Sequence, residues 1–316
     1  MNQPIRVLIV DDSAVVRGLL SKTMESDPEL VVAGSVMNGE RALAWLSGNA
    51  ADVVLLDVEM PVMDGLTTLN HLQQKHPHIK TIMVSSLTES GGNATVKALS
   101  MGAAGCVAKP RTNGIADSIE LLCRELLPLI KAVGQRVNKG SDSKISSGNP
   151  GWNSKPSHLN SRSASTPEVV VIGSSTGGPK ALQDVLTALP VDFPIPILIV
   201  QHMPATFTPI LAKHLTRDTQ RPCMEAVNGT VIEPNHTYIA PGDFHLEVAN
   251  QNHDGPVLRL NQNPPEHFCR PSVNPLFRTV ADTFGDRVLA VMLTGMGHDG
   301  VEGTREIVMQ GGHVIA

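Results

Sequence analysis

At 316 residues, 41% of them hydrophobic and 17% charged, the chain exceeds the roughly 250–300 residues at which a single core stops growing, and it is too apolar for a disordered chain. A net charge of −5 and an aromatic content of 3% argue against nucleic acid as a ligand: there is no cationic excess to meet phosphates and there are few rings to stack on bases. Cys106, Cys123, Cys223 and Cys269 show no CxxC or metal-ligand spacing, and no apolar run suits a signal peptide or a membrane span. A cytoplasmic globular protein with no direct membrane insertion is expected.

Residues 1–134 alternate aliphatic runs with helical patterns. VLIV precedes a helix over 13–26, VVAGSV one over 38–48, VVLL one over 64–75, TIMVSS one over 92–101, and GCVA one over 115–134. This alternation predicts a doubly wound parallel sheet. Residues 135–167 are rich in Ser, Asn, Gly and Pro and read as a flexible linker; from Lys131 to Thr166 six basic residues face one acid, as in a solvated tether. In 168–316 the runs VVVIG, PILIV and VLAVML predict a second doubly wound α/β domain, Rossmann-like in character. TYIAPGDFHLEV predicts a hairpin about its Pro-Gly-Asp turn. The closing GGHVIA reads as a strand with no helix after it, so a C-terminally shortened domain is expected.

Ligands of an open parallel sheet bind beyond the carboxyl ends of its strands. In the first domain those ends carry Asp11 and Asp12, then Asp57, Ser85 and Lys109. Three converging carboxylates repel one another unless a hard cation such as Mg²⁺ shares the site, and a phosphoryl group could then be bound there. Taken singly, Asp12 or Asp64 is better explained as a helix cap or a solvated loop acid.

In the second domain the first strand runs into Ser174, Ser175, Thr176, Gly177, Gly178 and Pro179. Gly173–Gly177 matches GxSxG, which would expose Ser175 as a nucleophile beside backbone N–H groups, but a glycine turn of this kind also suits a phosphate. His202 follows the next run as a candidate base, and Asp299 follows VLAVML as the acid that would orient it. His298, adjacent to Asp299, is the weaker rival base.

The first domain resembles the response-regulator receiver domain. That resemblance implies that Asp57 accepts a phosphoryl group from a chemotaxis histidine kinase. It also implies that Asp11, Asp12, Asp57 and the backbone carbonyl of Glu59 hold Mg²⁺, and that Ser85 and Lys109 contact the phosphoryl oxygens. Cys106 stands where receivers often carry an aromatic ring. The stretches GSSTGG, QHMP, YIAPGD, RPSVNPLF and TGMGHDG resemble motifs of the chemotaxis response-regulator protein-glutamate methylesterase (CheB) family. The family resemblance implies hydrolysis of glutamyl γ-methyl esters on methyl-accepting chemotaxis receptors, with glutamine deamidation as a companion activity and no cofactor for the esterase chemistry. It implies Ser175, His202 and Asp299 as catalytic residues, with Thr176, Gly177 and Met296 near the oxyanion. Asn274 stands where the family often has Asp, and His298 where Asn is common; neither departure is expected to touch the catalytic set.

Overall fold

The structure, a computed structural model, describes residues 3–86, 88–110, 114–134, 165–251, 255–295 and 297–316. Nearly all of the expected linker, residues 135–164, therefore lies outside the described residues, as does Met296.

The first sheet is built from β1 (Ile5–Val10), β2 (Leu30–Val36), β3 (Val53–Asp57), β4 (Lys80–Ser85) and β5 (Gly105–Ala108). They lie in the order β2-β1-β3-β4-β5, all parallel. Helices α1 (Ala14–Glu25), α2 (Gly39–Leu46), α3 (Gly65–Lys75), α4 (Glu89–Ser100) and α5 (Ile115–Gly134) cover it. Every residue of β3 is buried, as a strand covered on both faces requires, which is why VVLLD reads as an unbroken apolar run up to its final acid. Side-chain oxygens of Ser13, Asn38, Asp64 and Thr88 accept from backbone N–H groups three residues on, so four of these helices start on polar caps. The Thr88 cap starts α4 three residues earlier than its periodicity suggests, because Gly91 and Gly92 read as breakers and are instead helical. Asp64 is a helix cap, as expected of it alone.

The second sheet has the order β13-β12-β6-β7-β9-β8, all parallel. Its strands are β6 (Val169–Ser174), β7 (Ile197–Gln201), β8 (Cys223–Glu225), β9 (Thr237–Ile239), β12 (Val288–Met292) and β13 (His313–Ile315), interleaved with α6 (Gly178–Ala188), α7 (Thr208–Thr219), α8 (Val273–Phe284) and α9 (Val301–Met309). The expected hairpin over TYIAPGDFHLEV is corrected. Its first half is β9, a parallel strand between β7 and β8, and its second half starts β10 (His245–Gln251), which pairs antiparallel with β11 (Gly255–Asn261) in a separate ribbon. Both halves alternate, so the pattern alone does not say which strand each half pairs with.

In each sheet the chain begins in the middle and builds outward in both directions. The strand order reverses at β1 in the first sheet and at β6 in the second, leaving a crevice at the carboxyl ends between β1 and β3 and between β6 and β12.

The two domains share an apolar contact made by α4 against α6 and α7. Gly92 faces Ile210 so closely that an added Cβ would stand 2.4 Å from Ile210 Cδ1. His214 Nε2 lies 3.3 Å from Asn93 Oδ1, and the Gly177 N–H donates to Ala104 O at 3.3 Å. Burial, with Arg217 nearby, lowers the His214 pKa.

Candidate active site and phosphoacceptor site

The last residue of β6, Ser174, donates its hydroxyl to Gln201 Oε1 at 2.8 Å, and Gln201 Nε2 donates to the carbonyls of Ser175 and His202, each at 3.0 Å. One amide at the end of β7 thus staples the two loops that carry the candidate nucleophile and base. The chain leaves Ser175 through Gly177 at φ +72°, a left-handed conformation that glycine adopts without steric cost. A Cβ on Gly178 would stand 1.9 Å from Gln201 Oε1, so this turn must be bare to sit on the staple.

Ser175, His202 and Asp299 meet in hydrogen-bonded sequence. His202 Nδ1 is 3.2 Å from Ser175 Oγ, and Nε2 is 2.7 Å from Asp299 Oδ2. With the proton on Nε2 donated to Asp299, the Nδ1 lone pair faces the serine hydroxyl, as a general base requires. A cavity of about 400 Å³ opens beside them, lined also by Met292, Thr294, Thr304 and Arg305.

The Asp299 carboxylate is 6% exposed and richly bonded. It accepts from Ser272 Oγ at 2.6 Å, Val273 N at 2.8 Å and Asn274 N at 3.3 Å, all at the start of α8, where the helix dipole favours negative charge. Burial alone would raise its pKa, but the bonds from His202, Ser272 and Val273 hold it below the ordinary carboxylate value. Burial likewise opposes a charge on His202, yet its bonds to Asp299 and Cys269 outweigh that and push the imidazole up to about 9.

Asn274 is closer to this centre than the sequence suggests, and that expectation is corrected. Its Oδ1 accepts from the N–H groups of Gly300 and Gly303, its backbone N–H reaches Asp299, and its Nδ2 donates to Glu302. An aspartate here would set a second carboxylate against Glu302, so Asn274 and Glu302 suit one another. His298 is exposed, and its carbonyl accepts from Val301 N. Thr176 and Gly177 follow Ser175 in the turn, with the Gly177 N–H donating to Ala104 O. Sequence reasoning missed Gln201, Ser272 and Cys269, whose Sγ lies 3.7 Å from His202 Nδ1. Cys269 ends a tight turn in which Glu266 and Cys269 exchange backbone hydrogen bonds, while His267 and Phe268 between them take φ +49° and +65°. Arg278 holds Glu266 through both guanidinium nitrogens, Glu302 holds His267, and Phe268 projects fully into solvent.

In the first domain the structure gathers Asp11, Asp12 and Asp57 with carboxylate oxygens within 4.8 Å of one another. Lys109 Nζ lies 2.8 Å from both Asp11 Oδ2 and Asp57 Oδ2. Burial, with the Asp11 charge adding to it, raises the Asp57 pKa against the opposing bond from Lys109. Lys109 is raised as well: burial opposes its charge, but its two carboxylate bonds prevail. Asp11 Oδ2 is buried and, apart from the Lys109 charge, has no aligned hydrogen-bond donor among the described residues. An all-oxygen set with one such atom fits a hard cation such as Mg²⁺. Ser85 ends β4 beside this cluster, but its hydroxyl donates to Ser86 O at 3.2 Å rather than to Asp57. Glu59 follows two residues after Asp57, and its side chain accepts from Ser90 at 2.9 Å. Cys106 is buried on β5, and burial pushes its thiol up to about 12.

A serine, an imidazole and a buried carboxylate in relay at a sheet's switch point are the constellation of a serine hydrolase, here attached to a domain with an acidic pocket of the receiver type. Residues 170–316 match the CheB methylesterase family and residues 7–120 the response regulator receiver domain. The chain is 43% identical to a protein-glutamate methylesterase/protein-glutamine glutaminase of group 2 operon from Rhodospirillum centenum, covering 99% of this chain and 85% of that protein. It is 45% identical to protein-glutamate methylesterase/protein-glutamine glutaminase 1 from Paramagnetospirillum magneticum, covering 99% and 86%. The CheB methylesterase catalytic domain of Thermotoga maritima is 41% identical over 48% of this chain and 80% of that one, with a TM-score of 0.46. The chain belongs to the protein-glutamate methylesterase/protein-glutamine glutaminase family, with receiver and CheB methylesterase domains.

Proposed function

We propose that this chain hydrolyses glutamyl γ-methyl esters on methyl-accepting chemotaxis receptors in the cytoplasm, releasing methanol, and deamidates receptor glutamines by the same acyl chemistry. The observation that carries this reading is the relay Ser175–His202–Asp299. Ser175 Oγ attacks the ester carbonyl carbon as His202 Nδ1 takes its proton. Asp299 holds the resulting imidazolium, and the departing methoxide leaves as methanol with the proton from His202. Water then attacks the acyl-enzyme, again through His202, freeing the glutamate and restoring Ser175. A glutamine amide follows the same course with ammonia as the leaving group. Backbone N–H groups of Thr176, Gly177 and the Met296 segment are the candidate donors to the oxyanion.

The receiver, residues 1–134, is proposed to gate the catalytic domain, residues 168–316, with residues 135–167 as the tether. A chemotaxis histidine kinase supplies the phosphoryl group that the Asp57 carboxylate accepts. Asp11, Asp12, Asp57 and the Glu59 carbonyl would hold Mg²⁺, which when bound neutralises charge around the incoming phosphoryl oxygens. Lys109 and a rotated Ser85 hydroxyl would then meet those oxygens, with Cys106 standing where receivers often carry an aromatic ring. Support for gating comes from the Gly177 N–H, one of the candidate oxyanion donors, which is taken up by the receiver's Ala104 carbonyl. Among the described residues no helix is long and apolar enough to cross a membrane.

The test is methanol release from methylated receptor. Ser175→Ala is expected to lower kcat by about 10⁴–10⁶-fold and to abolish labelling by a phosphonylating serine probe. Asp57→Asn should remove any response to a small phosphodonor. Near-normal release from the Ser175 variant sinks the catalytic assignment, and an unchanged phosphodonor response in the Asp57 variant sinks the regulatory one.

A further inference from the structure

His202 has a third neighbour that the proposed hydrolysis does not use. Its Nδ1 faces Ser175 Oγ at 3.2 Å and Cys269 Sγ at 3.7 Å, while Nε2 is fixed by Asp299 at 2.7 Å. A metal-bound histidine usually has this form, with one nitrogen toward the ion and the other N–H held by a carboxylate. In a tetrahedral zinc site with Zn–N near 2.0–2.1 Å and Zn–S near 2.3 Å, a nitrogen and a sulfur ligand stand about 3.6 Å apart, and a nitrogen and an oxygen ligand about 3.3 Å. The observed separations fall close to both. The backbone that carries the thiol is held in place, because the Glu266–Cys269 turn is closed by its own hydrogen bonds and anchored through Arg278. His202 and Ser175 line the cavity, and Cys269, only partly buried, adjoins it through its contact with His202, so an ion that enters beside Ser175 comes within reach of the thiol.

We infer that His202 Nδ1, Cys269 Sγ and Ser175 Oγ form a binding site for a borderline-soft divalent cation such as Zn²⁺, whose occupancy silences the esterase. The inference rests on the reading of Ser175 and His202 as nucleophile and base. On binding, the Cys269 thiol loses its proton to solvent and ligates as thiolate. The Nδ1 lone pair that would accept the serine proton is then committed to the ion. A fourth position stays open to water. Nitrogen and sulfur donors select Zn²⁺ over Mg²⁺, whereas the acidic pocket of the receiver offers the all-oxygen set that suits Mg²⁺. Mg²⁺ at concentrations that fill the receiver therefore leaves the esterase centre free.

The test uses the full chain and buffered Zn²⁺. Initial rates of ester hydrolysis are referred to the same variant without metal, and alkylation of Cys269 by iodoacetamide is followed in parallel by peptide mapping. Zn²⁺ is expected to inhibit reversibly on chelation, and Cys269→Ala to raise the half-inhibiting concentration at least about tenfold. Zn²⁺ should also slow alkylation of Cys269 in the wild type and in Ser175→Ala, where His202 and Cys269 remain as ligands. Equal relative inhibition of Cys269→Ala, or unchanged alkylation of Cys269 at inhibiting Zn²⁺, overturns the site. Should the wild type hydrolyse no ester at all, the alkylation arm still decides the metal site, so the two readings fail separately.

Discussion

In the receiver sheet the crevice between β1 and β3 collects Asp11, Asp12 and Asp57 around Lys109; in the catalytic sheet the crevice between β6 and β12 collects a hydroxyl, an imidazole and one carboxylate. The topology is shared and the electrostatics are not. The receiver pocket concentrates like charges that need a cation, so its state can be changed by adding charge. The catalytic pocket ties its single carboxylate into three donors at the start of α8 and one imidazole, so it holds no excess of like charge and geometry decides the chemistry. A common scaffold thus hosts a switch where charge is unbalanced and a catalyst where hydrogen bonds are saturated.

The largest expected effect lies on the catalytic side of this contrast. Asp299→Asn keeps the shape but loses the correct imidazole tautomer, and kcat for methanol release should fall by about 10⁴-fold. A loss below tenfold would mean that the carboxylate is structural. The pH profile is the next measure. The proposed base, His202, must be neutral to act and is pushed up to about 9, so kcat/KM should climb with pH through that value rather than level off near the ordinary histidine value. The same raised pKa makes the His202 charge a stabilising contribution that is complete below the unfolded-state value and disappears as pH rises through about 9.

On the receiver side, Lys109→Met strips the cation from two buried carboxylates and should cost about 3 kcal/mol in urea unfolding without Mg²⁺, partly regained when Mg²⁺ is added. Indifference to both changes would show that charge does not govern this pocket. The smallest effect concerns the turn beside His202. His267→Asn combined with Phe268→Gly gives the two positive-φ positions residues that accept them and should stabilise the fold by about 1 kcal/mol. A lower unfolding midpoint would show that the present side chains add more than their backbone strain removes.

Much of this was legible in the sequence, for identifiable reasons. Buried parallel strands write themselves as aliphatic runs, so β1, β3, β6, β7 and β12 could be placed, and the polar residue at the end of each was a candidate at once. The rest depends on tertiary approach. Ser272 and Asn274 reach Asp299 from the start of α8, and Cys269 reaches His202 from 67 residues away in the chain. No local pattern signals such meetings. The short β8 and β9 carry three residues each, too few for a period, and the pairing of β10 with β11 rather than with β9 is settled by packing.

The fit of Gly92 against Ile210 bears on how far these two domains are interchangeable parts. A receiver grafted from another regulator, with any side chain at position 92, would place its Cβ where the Ile210 Cδ1 methyl on α7 now lies, and that side-chain tip would have to swing aside. How well such a graft seats then depends on how Ile210 repacks between α4 and α7. Module exchange would therefore have to match α4 to the facing surfaces of α6 and α7, which makes that contact, rather than the tether, the seam at which two exchanged halves must fit.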